Sequence, residues 1–113
     1  MEIVKKAKIS VNGKSEEVEV TIDTGADRTM IDEEVLLRLR APSFGRAVLV
    51  TVGELKEKKL LYAAVVGIDG VEFGLTVIGG KKNLIGHDFL QMAKAVINEE
   101  TGEVKLTKSY IEM

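Results

Sequence analysis

Apolar and polar positions alternate along most of this chain, and glycine-containing turns break the alternation at short intervals. Ile9 and Val11 alternate with polar neighbours and lead into Asn12-Gly13, a strong signal for a two-residue hairpin turn. The following run, Glu17 to Ile22, sends Val18, Val20 and Ile22 to one face and Glu17, Glu19 and Thr21 to the other, as a half-buried strand requires. Ile31, Val35, Leu36 and Leu39 then fall at helical spacing, with Asp32 placed as an N-cap, Glu33 and Glu34 in the first turn and Pro42 just past the end. Apolar stretches 47–52 and 60–66 flank the charged run Gly53 to Lys59, which predicts a long hairpin with a solvated tip. Asp69-Gly70 marks a turn before Val71 to Ile78, Gly79 to Asn83 reads as a connector, and Leu84-Ile85-Gly86 opens an apolar segment that runs into Phe89-Leu90. A last hairpin joins 95–97 to 103–107 around Asn98 to Gly102. The expected fold is mainly β with one or two short helices, and the absence of any linker, repeat or low-complexity stretch predicts a single domain over residues 1–113.

One of these turns carries chemistry. Asp23-Thr24-Gly25-Ala26-Asp27 follows the strand ending at Ile22 directly, so a carboxylate is delivered by a half-buried strand into a glycine turn. Gly25 relaxes the backbone where the chain must bend sharply. Taken alone, the triplet has two readings. It is a rigidly mounted carboxylate, or an ordinary turn in which Asp and Thr bond to nearby backbone and Gly supplies unusual dihedrals.

Composition removes several other kinds of chemistry. The chain has 113 residues, 45% of them hydrophobic and 30% charged, which is a globular balance; no apolar run approaches a membrane span. A net charge of -2 with only five Phe and Tyr and no Trp gives neither a basic footprint nor a stacking platform, so nucleic acid is not an expected partner. No cysteine is present, which excludes disulfides and thiolate nucleophiles, and the single His87 argues against multi-histidine metal sites. Any catalysis must use carboxylates, hydroxyls or lysines. Met1 to Lys6 lacks the basic, apolar and small-residue regions of a signal peptide, so a cytoplasmic location is expected.

The turn has a companion further along, Leu84-Ile85-Gly86-His87-Asp88-Phe89-Leu90. The two segments, in this order and with a hairpin between them, resemble the retropepsins, the single-domain aspartic proteases of retroviruses and their cellular relatives. Their pattern is a hydrophobic pair before Asp-Thr/Ser-Gly-Ala and, later, two apolar residues, Gly, a variable residue, Asp or Asn, and a short helix. The resemblance runs from Ala7 to Thr107 and implies a closed β-barrel with a flap hairpin. It also implies an aspartic endopeptidase without metal or cofactor, acting on peptide or protein substrates. Hydrolysis without a metal needs a base to take a proton from water and an acid to protonate the departing groups, and two adjacent carboxyls sharing one proton supply both. This chain contains no second Asp-Thr-Gly or Asp-Ser-Gly. The resemblance therefore implies a homodimer with Asp23 of both subunits at the two-fold axis, and an inactive monomer.

On the matching positions, Asp23 is implied as the catalytic carboxylate, Thr24 as a hydrogen-bonding group across the dimer axis, and Gly25 as the point where substrate backbone approaches. Ala26 and Asp27 are implied to bind an extended peptide by strand addition. Ala26, Met30 and Leu84 match pocket-lining positions, which implies apolar residues flanking the scissile bond, with core packing the competing reading for Met30 and Leu84. Val52 and Gly53 match the flap, and Gly86 matches a glycine against which the catalytic turn packs. Three features depart from the family pattern. His87 stands where viral members often carry an Arg paired with the acidic residue matched by Asp27, so a His87 and Asp27 contact is the expected substitute. Five charges follow Gly53 between Glu54 and Lys59, where viral flaps have glycine-rich apolar tips. The chain also continues past the closing strand to Met113. The charged flap keeps open a second reading, a non-catalytic retropepsin-fold module that dimerises or binds peptides. A third reading is an unrelated small β domain in which Asp23 caps a turn.

Overall fold

Two type I′ hairpins organise the β structure in this computed structural model, which describes residues 2–52 and 54–107. Asn12 and Gly13 have φ of 48° and 83°, and Asp69 and Gly70 have φ of 50° and 80°. This left-handed pair matches the natural twist of the strands it joins. The first turn sets β1 (Ile3–Val11) against β2 (Lys14–Ile22) in unbroken antiparallel register from Val11↔Lys14 to Ile3↔Ile22. The second sets β5 (Leu55–Ile68) against β6 (Val71–Gly80) from Ile68↔Val71 to Leu61↔Ile78.

Between these hairpins lies β3 (Met30–Asp32), whose three residues pair in parallel with Ile78–Gly80 of β6. Ile31, counted above with the helix, belongs to this strand and is fully buried there. The helix α1 (Glu33–Arg38) begins after it, and the Asp32 carboxylate caps it by accepting from the Glu34 N–H at 2.9 Å. It buries Val35 and Leu36 and ends with Arg40 at φ 58°, where the Ala41 N–H reaches back to the Leu36 carbonyl at 2.9 Å.

β4 (Ser43–Val52) pairs with β5 down to Val52↔Leu55, so only positions 53 and 54 lie between the strands. The expected charged tip is therefore a charged arm: Lys56, Glu57, Lys58 and Lys59 sit within β5, paired with residues 48–51. Glu57 and Lys59, two apart and hence on one face, form an ion pair at 2.8 Å.

Gly79 and Gly80, expected in a connector, complete β6 instead. A Cβ at Gly79 would lie 2.6 Å from the Tyr62 ring, and one at Gly80 would strike the Met30 thioether. The missing side chains make room for neighbours rather than for a turn. Beyond the loop, β7 (Leu84–Ile85) slots between β2, to which it is parallel, and β3, to which it is antiparallel. The sheet order is β1-β2-β7-β3-β6-β5-β4, and an additional β1–β5 pairing closes the sheet on itself into a ring, with β4 as the outer strand. Ile9, Val20, Ile31, Leu36, Val66, Val77 and Ile85 fill its interior at 2% exposure or less. The second helix α2 (His87–Met92) is fastened by Phe89, which is fully buried and meets Phe73 edge-on with ring centres 5.6 Å apart. A two-stranded sheet, β8 (Val96–Asn98) with β9 (Glu103–Lys105), follows as the last hairpin predicted. Residues 108–113 lie outside the described residues. Among the described residues no helix is long and apolar enough to cross a membrane.

Candidate active site

Strand β2 delivers Asp23 to the surface with its backbone already committed. The Asp23 N–H donates to the Ile85 carbonyl at 2.9 Å, continuing the parallel β2–β7 pairing by one bond beyond Ile22↔Ile85. The turn then closes on its own carboxylate. The Gly25 N–H donates to Asp23 Oδ1 at 3.0 Å, and the Ala26 N–H donates to the Asp23 carbonyl at 3.2 Å. A side chain on Gly25 would stand 3.4 Å from that carboxylate oxygen, an ordinary contact, and Gly25 is not left-handed, so the unusual dihedrals expected of it are not used within this chain. Asp23 is half-buried while Thr24 and Gly25 are exposed, so the carboxylate lies at a surface with an open rim.

The second segment clamps the far side of the turn. The His87 N–H donates to the Ala26 carbonyl at 2.7 Å and the Asp88 N–H to the Asp27 carbonyl at 3.2 Å. The expected His87–Asp27 contact is not made; the main chain instead joins His87 to Ala26 and Asp88 to Asp27. The exposed His87 and Asp27 side chains form no ion pair among the described residues. Gly86 is needed here by close approach: a Cβ would come within 2.5 Å of the Arg28 carbonyl carbon and 2.9 Å of the Ala26 oxygen.

A buried polar knot completes the clamp. Thr29 has no exposed surface, and its N–H and hydroxyl both donate to the Asp88 carboxylate, the N–H at 3.0 Å and 3.1 Å to the two oxygens and the hydroxyl at 2.8 Å. The same hydroxyl accepts from the Gly86 N–H at 3.1 Å, and the Phe89 N–H donates to Asp88 Oδ1 at 2.7 Å. The Asp88 carboxylate thus gathers donors from both segments, while the Thr29 carbonyl accepts from the Ile78 N–H of β6 at 3.0 Å. Charge-assisted bonds of this kind are the strong ones. Neither Thr29 nor Asp88 was assigned a role from sequence. The usable signal was a threonine at the edge of an apolar run, Met30-Ile31, facing a carboxylate one step past Gly86: both polar groups need partners once buried.

Of the positions expected to contact substrate, Ala26, Met30 and Leu84 are half-buried and Asp27 is exposed. Met30 and Leu84 are directly paired across β3 and β7, and the Met30 thioether covers the backbone of Gly80. Val52 lies at the end of β4, away in sequence and element from the turn, and Gly53 falls outside the described residues. Asp23, Thr24, Gly25, Ala26 and Asp27 are held with Leu84 as one unit by the β2–β7 pairing and the Ala26 and Asp27 clamps.

The fold has solved counterparts. The EIAV protease complexed with the inhibitor HBY-793 superposes with a TM-score of 0.58 at 19% identity, over 87% of this chain and 93% of that one. The retroviral protease-like domain of Ddi1 from Leishmania major gives 0.59 at 18% identity, over 92% of this chain and 88% of that one. No protein-family model matches the sequence, and no curated protein does. The chain has a retropepsin-like fold, mainly β with short helices, as its two motifs imply.

Proposed function

We propose that this chain is an aspartic endopeptidase, one domain over residues 1–113, that hydrolyses peptide bonds in the cytoplasm as a homodimer with one Asp23 from each subunit. The observation that carries the reading is the way Asp23 is mounted. It is a half-buried carboxylate at an open rim, gripped by its own turn through Gly25 and clipped from behind to the segment that follows β7. A carboxylate serving only as a turn cap does not call for the second segment to hold the loop at Ala26 and Asp27.

In the dimer one Asp23 carboxylate takes a proton from a water molecule as the oxygen attacks the scissile carbonyl carbon, and the partner subunit's Asp23 gives its proton to the carbonyl oxygen. As the gem-diol collapses, one hydroxyl returns its proton to the ionised carboxylate and re-forms the carbonyl, the C–N bond breaks, and the protonated carboxyl gives its proton to the leaving amine. The pair then shares one proton again. Two carboxyls within about 3 Å hold a single proton between them because both cannot ionise cheaply. Thr24, on the exposed rim, is assigned to hold the two turns together. Gly25, Ala26 and Asp27 bind the extended substrate backbone, with Met30, Leu84, Val52 and Gly53 around its side chains.

The test is cleavage of a mixed peptide library between about pH 4 and 7 by the protein, by Asp23→Asn, and in the presence of a pepstatin-type inhibitor. Cleavage abolished by both perturbations supports the reading, and cleavage that survives Asp23→Asn contradicts it. The charged arm of β5, where Lys56 and Lys58 alternate with Glu57 and Lys59, favours a second reading, a non-catalytic module of the same fold that dimerises or binds peptides. A confirmed dimer that binds peptides without cutting them supports that alternative.

A further inference from the structure

A groove of about 880 Å³ opens beside the catalytic turn, and its wall contains both acidic and basic groups over an apolar floor. Leu61 and Leu75 supply the floor, Phe44 of β4 one edge, and Asp27, Arg28 and Asp88 the side next to the turn. Arg28 is the cation of this wall. Its side chain is exposed, and it forms no ion pair or side-chain hydrogen bond with any other described residue.

Its backbone, by contrast, adjoins a tightly bonded residue. The next residue, Thr29, is tied to Asp88 through both its N–H and its hydroxyl, and Gly86 packs directly beneath the Arg28 carbonyl. The guanidinium therefore swings from a fixed base. Neither carboxylate of the same wall forms an ion pair with it. Asp88 already accepts from the Thr29 N–H, the Thr29 hydroxyl and the Phe89 N–H, and Asp27 is exposed, where water screens its field.

We propose that Arg28 is a specificity-determining residue that takes an acidic side chain of the substrate peptide, glutamate ahead of aspartate. This rests on the reading that an extended peptide lies across Asp23. Arg28 is five positions beyond Asp23, and five fully extended residues span at most about 17 Å, so the groove is reached by a side chain within about five residues of the scissile bond. Leu61, Leu75 and Phe44 cover the methylenes of a glutamate while the guanidinium fork meets its carboxylate. An open, partly hydrated pair of this kind gives about a five-fold preference for Glu over Gln, which shrinks as salt is raised.

The experiment uses two readouts on full-length protein: peptide-library cleavage, and peptide capture by the Asp23→Asn form, which does not require cutting. Each is run with Arg28 intact, with Arg28→Lys and with Arg28→Glu. Arg28 is exposed, so circular dichroism is expected to show all three folded. The expected result is enrichment of Glu within about five positions of the cut, a weaker enrichment with Arg28→Lys, and a reversal toward Lys and Arg with Arg28→Glu. Identical residue preferences in the wild type and Arg28→Glu overturn the assignment of Arg28 while leaving the peptidase reading in place. Capture of acidic peptides without any cleavage supports Arg28 and overturns the peptidase reading, and no capture and no cleavage overturns both.

Discussion

Removing one oxygen from Thr29 tests how the two halves of the site are joined. Thr29→Val keeps the side chain's shape in its fully buried position, so the change isolates the hydroxyl. That hydroxyl donates to the Asp88 carboxylate at 2.8 Å and accepts from the Gly86 N–H at 3.1 Å. Losing a hydrogen bond to a charged group costs about 1.5–3 kcal/mol, and stranding a buried N–H costs about 1–3 kcal/mol. Asp88 keeps its bonds to the Thr29 and Phe89 N–H groups, so its charge is not left bare, and the total is expected near 3 kcal/mol. For a chain of this size that lowers Tm by roughly 12 °C, at about 4 °C per kcal/mol. Urea unfolding of the wild type, Thr29→Val, Asp88→Ala and the double variant closes a mutant cycle, in which directly bonded partners should couple by about 1–2 kcal/mol. A cost below about 0.5 kcal/mol for Thr29→Val, or strictly additive single effects, would refute the claim that this knot joins the two segments.

Two further perturbations probe other joints of the fold. Gly86→Ala drives a methyl into main-chain atoms of Arg28 and Ala26 that cannot rotate aside, at 2.5 to 2.9 Å, so it should cost about 1–3 kcal/mol in urea unfolding and depress peptide cleavage; wild-type behaviour in both assays would contradict the packing. Tyr62 is 3% exposed and donates to Glu33 at 2.9 Å, and burial, then that hydrogen bond and the nearby carboxylate charge, raise its phenol above the ordinary value. The native state thus favours the protonated phenol, and the resulting stability is complete below the unfolded-state pKa of about 10 and lost as pH rises through the folded value. Between about pH 9 and 11 the wild type should lose more stability than Tyr62→Phe, and parallel losses would remove Tyr62 as the cause.

The parts of the fold legible in the sequence are those where local chemistry and tertiary structure agree. Asn12-Gly13 and Asp69-Gly70 favour left-handed backbone by residue type and adopt it here, and Asp32 caps the helix that its position predicts. What escaped depends on distant partners. Ile31 has helical spacing with Val35, yet pairing of its strand with Ile78–Gly80 holds it extended. Gly79 and Gly80 carry the usual mark of a turn, but they are small because Tyr62 and Met30 lie over them. The charges after Gly53 suggested a loop, and a register ending at Val52↔Leu55 put them in a strand. At the site, the order of Asp23-Thr24-Gly25 and Leu84-Ile85-Gly86 was legible because both are short, contiguous signals. The Thr29, Gly86 and Asp88 knot was not, since its members become neighbours only when β7 enters between β2 and β3.

Mixing the wild type with Asp23→Asn tests the central claim most directly, that each chain supplies half of one catalytic pair. With total protein fixed and subunits exchanged freely, homodimeric catalysis predicts that peptide cleavage falls as the square of the wild-type fraction, because a dimer in which either subunit carries Asp23→Asn is inactive. Cleavage that falls only in proportion to the wild-type fraction would mean that each subunit works alone, and would contradict the shared site.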